Sequence, residues 1–410
     1  MNSSFVDDWI EKKTGASDSD TLLKYQIEKV RETLEYVTKQ SAFYRKKLKS
    51  FTSIEELPFT FPDDIMQYSS EMLCVGQGIV KRVVTHETSG TTGLTKRIFF
   101  SERDHTATID FFHHGMMEFT SEYDRVLILF PGEKEGSIGR LLADGLNKFG
   151  ANPFIYGIVS DFDDLIRIIS SKKINVIVGL PQQLLELSRL CYHRGIVIPY
   201  LHSVLLSADY AAKSIVSAVE KNLSCIVYEH YGMTEMCFGG GVYPKMRDGY
   251  HLRHNDFLFE IIDPLTGAIL PRGECGEVAF TSLNTEAMPL IRYRTGDLAR
   301  FSREAKKYPV MKKIKGRLKD GVRLSNGQIL KVVELEEAIF KNEDVLDFKA
   351  SYDGNMLKLY VRSLKFDSSS IIETLLNSPI KNMLNECDIK VISIDDKFIY
   401  KNTMNKRFIE

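Results

Sequence analysis

From about residue 120 to 240, short apolar runs alternate with stretches patterned like helices, and that alternation leaves few folds open. Residues 126–130, 155–159, 176–180, 204–207 and 225–228 read as strands, and residues 163–171, 182–194 and 211–222 between them carry a helical period. Strands that are apolar throughout are buried on both faces. The expected fold is therefore α/β, with mainly parallel strands flanked by helices. Upstream, Ile27, Val30, Leu34 and Val37 recur at steps of three and four within residues 22–45, the mark of a helix packed on a core.

The texture changes beyond residue 250. Asp263-Pro264-Leu265-Thr266-Gly267 is a turn signal between strand-like residues 258–262 and 276–282, which predicts an antiparallel, barrel-like segment. Residues 333–340 and 371–376 read as helices and residues 355–361 and 389–394 as strands, so the last stretch reads as a small α+β unit. At 410 residues the chain is long enough for several domains.

Composition excludes some classes. A net charge of −1 offers nothing to attract nucleic acid. Six cysteines without CxxC spacing argue against a zinc ribbon or a disulfide framework. The first residues lack the apolar run of a signal peptide, and no stretch approaches the ~20 apolar residues of a membrane span. A cytoplasmic location is expected.

The chemistry-bearing segment is Thr88, Ser89, Gly90, Thr91, Thr92, Gly93, followed by Lys96. Its glycines permit positive-φ backbone whose N–H groups can converge on an anion, with hydroxyls and an ammonium alongside: a phosphate clamp, though without the Walker A spacing. Three further segments follow in order. Tyr228-Glu-His-Tyr-Gly-Met-Thr-Glu235 puts a carboxylate on a turn just past a strand, where a Mg²⁺ held against phosphate oxygens would sit. Thr295-Gly296-Asp297 offers a carboxylate able to accept both hydroxyls of a ribose. Lys315-Gly-Arg-Leu-Lys-Asp320 is by itself a charged turn.

In this order the segments resemble the signatures of the adenylate-forming superfamily, which contains acyl-CoA synthetases, nonribosomal peptide adenylation domains and firefly luciferase. The phosphate loop departs from the usual ending, since Thr95 and Arg97 replace its proline and glycine while Lys96 remains. Segments such as Ser41-Ala-Phe-Tyr-Arg45, Gly273-Glu-Cys-Gly-Glu277 and Pro289-Leu-Ile-Arg-Tyr-Arg294 are most similar to the phenylacetate–CoA ligase and coenzyme F390 synthetase-like branch.

The resemblance implies a large adenylation domain, residues 1–317, and a small mobile domain, residues 318–410, hinged near Lys319. It implies ATP, Mg²⁺ and CoA as cofactors or co-substrates, and a carboxylic acid, aromatic or otherwise apolar, as substrate. By the same resemblance Thr88–Gly93 clamp phosphates, Thr234 touches the α-phosphate, Glu235 holds the metal, and Tyr231 stacks on adenine. His230, Gly232 and Met233 border the nucleotide, Asp297 binds the ribose, and Arg317 contacts ribose or phosphate. The acyl pocket is expected near Phe130, Pro131, Met236, Phe238 and Gly239. The superfamily's catalytic C-terminal lysine aligns with Lys406, after Asn405 in place of glycine; Lys401 is the competitor.

His251 remains where some relatives bind zinc, but the matching stretches carry no cysteine, so no zinc is expected. Transfer to a carrier-protein phosphopantetheine or a protein cysteine, and a non-catalytic regulatory homologue, stay open as alternatives. Members of the family are often dimers.

Overall fold

The computed structural model describes residues 4–48, 53–87, 95–244, 246, 248–385, 387–395 and 409. They form two compact units. The first comprises residues 1–123, 131–152 and 230–314, and the second residues 124–130, 153–229 and 315–410.

The first unit opens with the helix Phe5–Thr14, capped by Ser4 and ended by Gly15 at φ 70°. The amphipathic stretch divides into the helix Ser19–Gln40, started by an Asp18/Thr21 capping box, and the short helix Ala42–Lys47. Val30, Leu34 and Val37 are buried as their spacing predicts, whereas Ile27 is only half-buried and Leu22 joins the buried face. On the same helix, Gln26 donates to the carbonyls of His254 and Phe257, and Thr33 to that of Leu283.

The segment expected to be barrel-like is a three-stranded antiparallel sheet of Phe257–Ile262, Gly276–Ser282 and Tyr293–Ala299. The Asp263 carboxylate accepts from the amides of Leu265 and Thr266, and Gly267 at φ 76° completes the predicted turn. Arg292 is 1% exposed. Its guanidinium binds both Glu260 oxygens at 3.1 and 2.9 Å and the carbonyls of Glu55 and Leu57, which sews the 55–59 segment onto this sheet. A buried charge is tolerable when it is paired and hydrogen-bonded in this way.

A hairpin of Val80–Glu87 and Thr95–Ser101 sets His86 opposite Lys96 and Glu87 opposite Thr95. The chain then enters the helix Glu102–Met116 through a capping box: Asp104 N–H donates to Ser101 Oγ at 3.3 Å, and Ser101 N–H donates to Asp104 Oδ2 at 2.9 Å. Asp104 also accepts from the amides of Glu286 and Ala287. Ser101→Ala should therefore lower unfolding stability by about 1 kcal/mol, read from a denaturant midpoint, because one first-turn amide loses its acceptor.

His251 is fastened at both ring nitrogens, Nδ1 to Asp7 at 2.9 Å and Nε2 to Asp248 at 3.1 Å, with Lys306 on the other Asp248 oxygen. Burial alone would push its pKa down. The hydrogen bonds and charges of Asp248 and Asp7 outweigh that and raise it to about 9. A raised folded-state pKa adds stability that is complete below the unfolded value, near 6.5, and is lost as pH rises through about 9. Melting temperature should fall over that interval by an amount equivalent to roughly 3 kcal/mol, and His251→Gln should flatten the slope.

In the second unit, Arg125–Ile128, Val176–Gly179, Ser203–Leu206 and Ile226–Tyr231 pair in that order, all parallel. The helices Phe162–Ser171, Pro181–His193 and Lys213–Leu223 run between them. The strand expected at 155–159 lies instead at Asn152–Ile155. Gly157, at φ 85°, breaks the extended chain where the apolar run had suggested it would continue. The C-terminal stretch supplies the helix Val332–Ile339 and the strands Val345–Asp353, Met356–Ser363 and Asp388–Ser393. Buried Arg362 grips both Glu186 oxygens through its two terminal guanidinium nitrogens. Arg189 donates to the Phe340 carbonyl, and Glu337 accepts from Tyr210 and from the first amide of the helix Lys213–Leu223.

Candidate active site

The first unit gathers five of the expected residues and adds two that sequence reasoning passed over. Lys96 leaves the hairpin with its ammonium on Glu235 Oε1 and on the Tyr293 hydroxyl, the latter at 2.8 Å. Tyr293, from the third strand of the antiparallel sheet, donates in turn to Glu235 Oε1 at 2.8 Å. Burial by itself would raise the Glu235 pKa. The charge and hydrogen bond of Lys96, with the Tyr293 hydroxyl, outweigh burial and hold the carboxyl well below the usual range, so it is ionised at neutral pH.

One residue earlier, Thr234 Oγ1 lies 2.9 Å from His86 Nε2 across the hairpin. Tyr231 donates to Asp297 Oδ2 at 3.1 Å, and both are nearly sealed from solvent. Hydroxyls, an ammonium and two carboxylates thus line one region, an arrangement suited to a polyanion accompanied by a cation.

The turn carrying Glu235 is tightly built. Thr234–Met236 forms a single 3-10 turn begun at Met233, and Phe238 N–H returns to the Met233 carbonyl. Cys237 and Phe238 both have positive φ, at 48° and 70°, an uncommon conformation for residues with side chains. A Cβ on Gly232 would stand 2.0 Å from the Phe238 carbonyl oxygen, so only glycine fits. His230 packs against Phe111 and Phe112, and burial pushes its pKa down to about 4, leaving a neutral imidazole. Met236 and Phe238 are buried, and Gly239 abuts the Phe111 ring.

Of the other expected residues, Pro131 is exposed in the first unit. Phe130, Arg317 and Lys319 belong to the second. Phe130 is buried there, the Arg317 amide donates to Asp320, and Lys319 is exposed. Thr88 to Gly93, Lys401 and Lys406 lie outside the described residues.

The second unit holds a feature the sequence did not reveal. Past the end of the strand Ser203–Leu206, Ala208 adopts φ 71°, and Asp209 accepts from Gln182 at 3.0 Å. A left-handed alanine is an uncommon conformation, held here by the surrounding structure. Among the described residues, Asp110, His113 and His114 alone bring three metal-type ligand atoms together, within 4.8 Å. Asp110 is already paired with Lys13 and Lys148, so this cluster is charge-compensated.

Residues 86–285 match the family model described as AMP-binding enzyme. The phenylacetate–coenzyme A ligase of Aromatoleum evansii is 29% identical over 371 residues, covering 84% of this chain and 82% of its own. That of Pseudomonas putida is 27% identical, covering 78% and 76%. Among solved structures, 2-hydroxyisobutyryl-CoA ligase in the postadenylation state, in complex with 2-HIB-AMP, superposes with a TM-score of 0.77 at 17% identity, covering 92% of this chain and 90% of that one. ATP-bound MatB from Rhodopseudomonas palustris gives 0.56 at 20% identity, covering 82% and 68%.

The family-model match and the curated relatives support the adenylate-forming superfamily, and within it the phenylacetate–CoA ligase-like branch.

Proposed function

We propose that the protein is an AMP-forming acid–CoA ligase. A carboxylic acid attacks the α-phosphorus of ATP, the bond to pyrophosphate breaks, and the acyl-AMP then passes its acyl group to the thiol of CoA. The observation that carries this reading is the Lys96–Glu235–Tyr293 contact beside the Tyr231–Asp297 contact, formed by segments that are far apart in the chain.

The residues suit the step. A carboxylate makes a poor acylating agent until its oxygen is converted into a leaving group, and phosphoryl transfer depends mainly on positioning and on neutralising charge. Glu235, ionised and acceptor-only, fits a hard divalent cation, and a bound Mg²⁺ would offset charge on phosphate oxygens there. Lys96 holds that carboxylate in a neutral pair, and its ammonium is placed to turn toward the triphosphate. Thr234 points a hydroxyl at the α-phosphate and is itself oriented by His86. Asp297 anchors the ribose, and Tyr231 both stacks on the adenine and fixes Asp297. The loop Thr88–Gly93, Arg317 and Lys406 complete the phosphate contacts. Residues 318–410 act as the small domain, hinged at Lys319, and Met236, Phe238 and Gly239 border the acyl group.

The test supplies a panel of aryl and alkyl acids with ATP, Mg²⁺ and CoA and follows the products. AMP, pyrophosphate and acyl-CoA should appear in equal amounts with at least one acid. Nucleotide cleavage to ADP, or no acid-dependent cleavage at all, would refute the reading. Thioester formed on a carrier protein but not on CoA would move the acceptor.

A further inference from the structure

Two polar side chains of the first unit lack partners at buried atoms, and they meet at one glycine. His105, on the helix Glu102–Met116, is 3% exposed, and its Nε2 has no hydrogen-bond partner among the described residues. Arg82, on the strand Val80–Glu87, is half-buried. Its Nη1 donates to the Glu135 carbonyl at 3.1 Å, while its buried Nε has no partner among the described residues. A Cβ on Gly136 would stand 2.8 Å from His105 Nε2 and 3.0 Å from Arg82 Cδ, so both side chains close on the same stretch of backbone. At φ 67°, Gly136 supplies a conformation and a clearance that other residues lack.

The place is close to the turn that carries Glu235. The Phe100 ring lies 6.0 Å from His105 and 5.9 Å from Phe238, so one aromatic ring separates the polar pair from the bordering residues of the acyl group. Phe111 and Phe112 continue this apolar wall. The carboxylates of Glu102, Asp104 and Glu135 also bear on His105. Asp104 is occupied by backbone amides, and Glu135 meets Arg82 through its main chain. Burial disfavours the charged form of both His105 and Arg82. Unmet buried polar atoms are costly to keep and call for an explanation, and a guanidinium beside an imidazole whose Nε2 carries the proton is a ready receptor for an oxyanion.

We propose that Arg82 and His105 receive a second oxyanion of the acid substrate. The preferred acid then has an apolar body and a carboxylate, or a similar anionic group, at the end opposite the one activated. This rests on the ligase reading above.

The experiment measures acid-dependent ATP–pyrophosphate exchange without thiol, using matched pairs such as hexanoate with adipate and phenylacetate with 4-carboxyphenylacetate. The wild-type protein should favour the diacid in kcat/KM by at least about tenfold. Arg82→Met and His105→Phe should each collapse that ratio toward one, and Arg82→Lys should restore part of it. A purely structural role would lower both rates together and leave the ratio unmoved, which would overturn the proposal, as would a wild-type preference for the monoacids. A change confined to the KM for CoA in the thioester step would assign the pair to a phosphate of the thiol and also overturn it. In each of those cases the ligase reading stands. Absence of exchange with every acid would remove both.

Discussion

Glu235→Gln should lower acid-dependent ATP–pyrophosphate exchange by about a hundred- to a thousandfold, the usual cost of removing one preorganised electrostatic group from a transition state that concentrates charge. The substitution is nearly isosteric. Glutamine keeps an oxygen for Tyr293 and Lys96 but loses the negative charge those groups now stabilise. The folded protein should persist, since the carboxylate sits in a turn fixed by Gly232 and by backbone hydrogen bonds. Raising Mg²⁺ should recover part of the rate if the lost interaction is metal binding. A drop of less than about threefold would mean the phosphates are served by other groups.

Lys406→Ala should cause a comparable loss in the same exchange, at least about a hundredfold, because the α-phosphate loses a cation when the attacking oxygen closes on it. Thioester formation from acyl-AMP supplied directly, with CoA, should be spared, since in the proposed mechanism the hinged small domain withdraws this lysine before the thiol displaces AMP. Lys401→Ala is the matched control. Should it show the larger loss, the catalytic role passes to Lys401. Equal retention of exchange in both would remove the C-terminal lysine from the mechanism.

What the sequence made legible followed from side-chain burial. The strands around 126, 176 and 204 are apolar apart from Arg125 and Ser203 at their starts, so their place in a parallel sheet could be read directly. The Asp263 turn needed only its own short-range hydrogen bonds. Val345–Asp353 was missed because Asp347 and Lys349 interrupt its apolar run, and its pairing with Met356–Ser363 decides its structure.

The site divided in a similar way. Tyr231, Thr234, Glu235 and Asp297 were found from their order in the chain. Tyr293 and His86 were not, because their roles depend on strand partners. The positive φ of Ala208 had no sequence signal, because only surrounding structure makes alanine adopt it.

The ladder that sets His86 opposite Lys96 has a further consequence for how this gene can vary. Side chains of a strand change face at each step, so adding or deleting one residue within Thr95–Ser101 would turn the Lys96 ammonium away from Glu235 without altering the composition of the glycine-rich segment before it. The phase of these seven residues therefore constrains the enzyme as firmly as the identity of any one of them.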